Sequence, residues 1–138
     1  MTHEQYITLE TAKLAKQAGF DWRTYPHYQD IYKDELLKAG LSGNWNQYKD
    51  CCSAPTQSVL QKWLREEKGY HIYISHTYTA IDCQIKSIWE VLYEKMSFLK
   101  PNSILILEDD FGRSLAFDTY EAALEAGLQK CLLEIIDN

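Results

Sequence analysis

Between Pro55 and Tyr78 the chain reads PTQSVLQKWLREEKGYHIYISHTY, and its apolar residues change period across one glycine. Val59, Leu60, Trp63 and Leu64 recur at helical spacing and so share one face, leaving Gln57, Gln61, Lys62, Arg65 and Glu66 to point away. A proline near a first helical turn gives up no needed N–H, so Pro55 marks the start and Ser53 is the expected cap. Lys68 complements the helix dipole, and Gly69 is the expected stop. After Gly69 the period is two: His71, Tyr73 and Ser75 alternate with Ile72, Ile74 and His76, as in a strand with two unlike faces. A chain obliged to form both periods is neither all-helical nor all-β.

The flanking segments add to this pattern. THEQYITLETAKLAKQAGF reads as a helix capped by Thr2 with Gln5, or by Thr8. Its apolar face holds Ile7, Leu14, Ala15 and Ala18, and Gly19 stops it. Residues 20–52 are irregular and aromatic, with a short helix expected from Tyr28 to Ala39, closed by Gly40, and a loop at Ser42, Gly43, Asn44 and Asn46. In IDCQIKSIWEVLYEKMSFLK, Ile85, Ile88, Trp89, Leu92 and Met96 fit a helix, but β-branched and aromatic content favours a strand, which the preceding strand needs as a partner. KPN then reads as a turn, SILILE as a strand, DDFGRS as a turn, and LAF as a further pairing segment. DTYEAALEAGLQKCLLEIIDN is the clearest helix, with Asp118 and Glu121 as a capping-box-like pair. Its stripe is Tyr120, Leu124, Leu128, Cys131, Leu132 and Ile135.

The expected fold class is therefore α+β in a single domain over residues 1–138. It has N-terminal helices, a small antiparallel sheet of about three strands and a C-terminal amphipathic helix packed on the sheet. Residues 1–52 form a helical and aromatic N-terminal part, and residues 53–138 a helix-strands-helix core.

A formal charge of −6 repels phosphate, so a nucleic-acid role needs a local basic patch. Lys62, Arg65 and Lys68 are offset by Glu66 and Glu67. The order helix, strands, helix resembles the double-stranded-RNA-binding fold and certain antitoxin domains at the level of fold alone. A reader of the former kind needs lysines at the start of its last helix, where this chain has Asp118, Glu121 and Glu125. Nucleic acid is thus a disfavoured partner, and a nucleic-acid-binding or antitoxin-like regulator is the alternative, with a small-ligand binder beside it. No apolar run reaches the roughly 18 residues of a membrane span, so the expected location is the cytoplasm with no membrane partner. There Cys51, Cys52, Cys83 and Cys131 are expected to be free thiols.

Residue types that carry chemistry do not assemble into a site. Cys51 and Cys52 lack the spacer that lets two thiolates face one metal, and His71 and His76 fall on opposite faces of a strand. No C-x-x-C motif supports redox chemistry. Glu108, Asp109 and Asp110 invite a metal or general-base reading, but acidic residues before a glycine also make turns. No catalytic residue, metal ligand or cofactor is assigned.

The aromatic residues outside the regular elements remain. Trp22, Tyr25, Tyr28, Tyr32, Trp45 and Tyr48, in a segment opened by Phe20, form the expected interaction surface, since Tyr and Trp supply large contact area at little entropy cost. The expected function is a non-enzymatic module that binds a protein partner or itself.

Three segments also carry a resemblance: Glu10–Trp22, Ala54–Glu66 with His71 and Ile72, and Thr119–Leu128. In them the chain resembles small proteins found widely in Bacteroidota genomes and their gut phages. The resemblance implies an accessory protein of a mobile element or its host, and brings no activity, cofactor or catalytic residue. The stretch from Thr79 to Arg113 lies outside it.

Overall fold

A computed structural model describes residues 4–38, 41–96 and 104–137. The first helix, α1 (Leu9–Ala18), starts later than its sequence suggests, because Thr8 takes the cap: its hydroxyl accepts the Thr11 N–H at 3.3 Å. Before it the chain is extended, with Tyr6 bridged to Thr56 and the buried Ile7 donating its N–H to Pro55 at 3.2 Å. Thr2 lies outside the described residues. Gly19 closes α1 at φ 97°, a conformation that favours glycine.

The helix expected from Tyr28 to Ala39 is absent. Instead β1 (His27–Gln29) pairs antiparallel with β2 (Cys51–Ser53), a single 3₁₀ turn covers Asp30–Tyr32, and Leu37 exchanges two 2.9 Å hydrogen bonds with His27. The reason lies in pairing: Tyr28, Ile31, Tyr32 and Leu36 have helical spacing, but β2 and Leu37 take the backbone hydrogen bonds of residues 27–29, which leaves Ile31 and Tyr32 exposed. Ala39 and Gly40 lie outside the described residues.

Helix α2 (Gln57–Glu67) follows, with Leu60, Trp63 and Leu64 buried as expected. Its cap is Thr56, whose hydroxyl accepts the Val59 N–H at 3.3 Å, whereas Ser53 is committed to β2. Gln57 is also buried, against expectation, because its amide serves the C-terminal helix. Gly69, at φ 74°, turns the chain into β3 (Tyr70–Ile81).

Strand β3 pairs antiparallel with β4 (Gln84–Lys95), which makes residues 85–95 strand with Met96 just past its end, and β4 pairs in turn with β5 (Leu105–Ile106). Two residues, Asp82 at φ 50° and Cys83 at φ 65°, make the hairpin turn, the signature of the primed turn that matches strand twist. Beyond β5, DDFGRS turns as expected, and Phe117 exchanges 2.9 Å hydrogen bonds with Trp89, so LAF does pair again. The KPN turn lies outside the described residues.

Helix α3 (Tyr120–Asp137) packs on the sheet. Thr119 rather than Asp118 receives the Ala122 N–H, at 3.1 Å, and Asp118 instead pairs with Lys86 at 2.9 Å. Leu124, Leu128, Cys131 and Leu132 are buried, and Ile72 and Val91 meet the helix from the sheet. The N-terminal part joins this core through α1, which packs on α3, and through Phe20, edge-on to Trp63 at 5.3 Å. The fold is α+β, with two small antiparallel sheets among the described residues.

The core carries an alkaline weakness. Burial first, and then Glu134, push the Tyr70 and Tyr93 phenols up to about 12, and the same two causes push the Cys131 thiol up to about 12. In the unfolded chain these groups ionise near 10.0 and 9.0, so between about pH 9 and 12 the unfolded state binds fewer protons than the folded one. Stability is therefore expected to be unaffected by these groups below pH 9 and to fall steadily above it. Urea midpoints measured across that range should drop together with the appearance of phenolate absorbance. A flat midpoint would mean that the three groups are not held neutral.

Candidate functional site

The cysteine pair that looks reactive in the sequence is part of the sheet. Cys52 is buried and Cys51 half-buried in β2, and burial raises both thiols against the smaller, lowering influence of Lys16. Lys16 is itself engaged, donating to the carbonyl oxygens of Tyr48 (2.6 Å), Lys49 (3.2 Å) and Cys51 (2.7 Å), and so fastens the loop before β2 to α1. His71 and His76 lie in the other sheet. His76 packs on Trp89 with ring centres 4.4 Å apart and hydrogen-bonds the Ser87 hydroxyl. No group of three or more His, Cys, Asp or Glu side chains suited to a metal ion occurs among the described residues.

The acidic run after β5, Glu108, Asp109 and Asp110, belongs to a turn. Asp109 accepts the N–H groups of Phe111 (2.8 Å) and Arg113 (3.0 Å) and the Arg113 guanidinium (3.0 Å). Chiefly the Arg113 backbone bond holds its carboxyl below the usual range.

The six aromatic residues divide between scaffold and surface. Tyr28 is buried and donates its hydroxyl to the Ile7 carbonyl at 2.7 Å. Trp45 is half-buried, stacked on the His27 ring at 3.8 Å, with its indole N–H on the Thr24 carbonyl at 2.9 Å. The Gln29 amide donates to His27 Nε2, which leaves Nδ1 as the protonated nitrogen facing the Tyr25 carbonyl. Trp22 is half-buried beside Phe20. Tyr25, Tyr32 and Tyr48 are exposed; Tyr48 packs on Trp45 with ring centres 6.1 Å apart, and the two share a cleft of about 430 Å³ with Arg23 and Leu41.

A second surface escaped the sequence-level reading. The β3–β4 hairpin extends past the start of α3 as an arm on which Ser75–Ser87 are almost all exposed, Tyr78 at 67% and Ile85 at 80%. Its hydrogen-bonding phase follows from its turn. A two-residue turn makes Ile81 and Gln84 a pair that exchanges both backbone bonds, so odd-numbered β3 residues bond to β4 and even-numbered ones point away. Two contacts confirm the phase: Met96 donates to the Gly69 carbonyl at 2.8 Å, and the Gln61 amide reaches the Ile72 carbonyl at 3.1 Å on the outer edge. Past Ile72 the backbone N–H and C=O groups of Ile74, His76, Tyr78 and Ala80 face outward with no partner among the described residues. The opposite side of the hairpin is occupied, since Val91, Tyr93 and Trp89 bond to the segment between Leu105 and Phe117.

This edge lacks the usual protection. All twelve residues of β3 are without Asp, Glu, Lys, Arg or Pro, the residues natural edge strands use to discourage pairing. No family model matches the chain, and no curated protein or solved structure matches it.

Proposed function

We propose that the chain is a non-enzymatic protein-interaction module whose binding element is the open edge of β3. The observation that supports this reading is an uncharged twelve-residue strand whose edge from Ile74 to Ala80 has no partner among the described residues, on an arm whose residues 75–87 are almost all exposed. An extended segment laid along such an edge gains backbone hydrogen bonds, and alternate side chains on the two faces add selectivity. The exposed Tyr25, Tyr32 and Tyr48 provide auxiliary contact area on the N-terminal part.

The test is a proline on the edge. Tyr78→Pro removes an outward N–H without taking a hydrogen bond from the β3–β4 ladder. A tagged wild-type chain purified from its native host is expected to retain a protein, either another copy or a different chain, that the variant loses. Equal recovery by both, with the variant's circular dichroism unchanged, would sink the reading.

A further inference from the structure

We infer that the segment that covers the β3 edge is the same edge of a second copy, paired antiparallel about a two-fold axis through Thr77. The inference rests on the reading of β3 as the binding edge and adds the identity of the partner. An identical chain brings a charge of −6 to a surface of the same sign, and β3 is the strip where the two meet without a formal charge on either side. A two-fold interface must also be self-complementary, and the backbone phase tests that directly.

Antiparallel strands exchange both bonds only between residues that each point at the other, so an even-numbered residue must face an even-numbered one. With the axis at Thr77, Ile74 faces Ala80 of the second copy and His76 faces Tyr78 of the second copy, with the reciprocal pairs completing the set. This register uses all four open residues. Shifting the axis by one residue in either direction leaves one of them unpaired on each copy.

The side chains agree with it. On one face Ser75 lies opposite Thr79 and Thr77 opposite itself, a ladder of hydroxyl pairs of a kind that stabilises neighbouring strands. On the other, His76 lies opposite Tyr78 and extends the aromatic row formed within each copy by His76, Trp89 and Tyr120. The product is one continuous sheet in the order β5-β4-β3-β3-β4-β5, in which both bare edges vanish.

The register makes a sharp experiment possible. Thr77 and its copy form a non-hydrogen-bonded pair, whose Cα atoms sit about 4.5 Å apart, within disulfide reach. In a Cys83→Ser background, Thr77→Cys should cross-link to a covalent dimer on mild oxidation. Ser75→Cys or Thr79→Cys alone should not, whereas a mixture of the two should. Sedimentation of the unmodified chain at about 100 µM, well above a micromolar Kd, should give twice the 16.1 kDa chain mass, and Tyr78→Pro should give the chain mass. A monomer at that concentration, cross-linking of Ser75→Cys as fast as Thr77→Cys, or a dimer indifferent to Tyr78→Pro would each overturn the inference. A monomer that nonetheless loses a different protein on Tyr78→Pro would overturn self-pairing while leaving the edge-binding reading intact.

Discussion

Gly127→Leu should destabilise the fold by about 3 kcal/mol, the upper range for overpacking a tight core. Gly127 lies mid-way along α3 where the helix crosses the sheet, and no room exists there for even one carbon. A Cβ at this position would fall 2.9 Å from Val91 Cγ1 and 3.1 Å from Ile72 Cγ2, inside van der Waals contact with both β4 and β3. Glycine in a helix interior ordinarily costs roughly 1 kcal/mol relative to alanine. Here that penalty is offset by the close approach that lets Leu124, Leu128 and Leu132 reach the strands.

Alanine separates the two effects. Gly127→Ala gains helix propensity and still clashes, so a net loss of about 1–2 kcal/mol is expected. Val91→Ala alone should cost about 2 kcal/mol by opening a cavity. If the contact is as tight as its geometry, the double variant will be more stable than the two single losses predict, because the new methyl fills the space left by the valine. Additive losses in urea unfolding would show that α3 shifts freely over the sheet, and the account of Gly127 would fail.

How far the sequence disclosed this arrangement depends on whether local chemistry or a distant partner decides. Helix α2, the Gly69 turn and the alternation of β3 are local, and they stand where periodicity puts them. The pairing of β1 with β2 is not local: it joins His27 to Ser53 and overrides the helical spacing of Tyr28, Ile31, Tyr32 and Leu36. Caps failed in a related way. Ser53 and Asp118 are each good caps by type, yet a β-pair claims the first and Lys86 the second, leaving Thr56 and Thr119 to serve.

The interaction surface was partly hidden for the same reason. Counting aromatics picks out Tyr28 and Trp45 as readily as Tyr48, although the first is core and the second is stacked on His27. Whether the edge of β3 is bare depends on β5 joining β4 rather than β3, a matter of strand order on which the local pattern is silent. One sign was present: YHIYISHTYTAI contains neither charge nor proline, which is unusual for a strand left at an edge.

Glu125→Ala should cost about 2–3 kcal/mol, because one carboxylate holds three helices together. Its Oε2 accepts the Thr8 N–H (3.1 Å), the Thr8 hydroxyl (3.0 Å) and the Thr11 hydroxyl, all at the start of α1. Its Oε1 accepts the Gln57 amide (2.8 Å) at the start of α2, and Gln57 also donates to the Glu121 carbonyl at 2.9 Å. The negative group on α3 thus sits at the positive end of α1 and supplies acceptors that a half-buried position gets only in part from water. Removing it takes the charged acceptor from the buried Thr11 hydroxyl and one of two acceptors from the buried Gln57 amide, and a hydrogen bond to a charged group contributes about 1.5–3 kcal/mol. Thr11 keeps the Gln129 amide at 2.9 Å as a donor to it and the Thr8 hydroxyl at 3.2 Å as a neutral acceptor, weaker than the carboxylate it replaces. Glu125→Gln keeps the shape and one acceptor while turning the other into a donor aimed at donors, so it should recover less than half of the loss. Because the N-terminal part is tied to the rest through α1, proteolysis of Glu125→Ala should cut first before Thr8 or within residues 20–50. A cost within about 0.5 kcal/mol, the range of ordinary surface changes, would mean that water serves these donors as well as the carboxylate does.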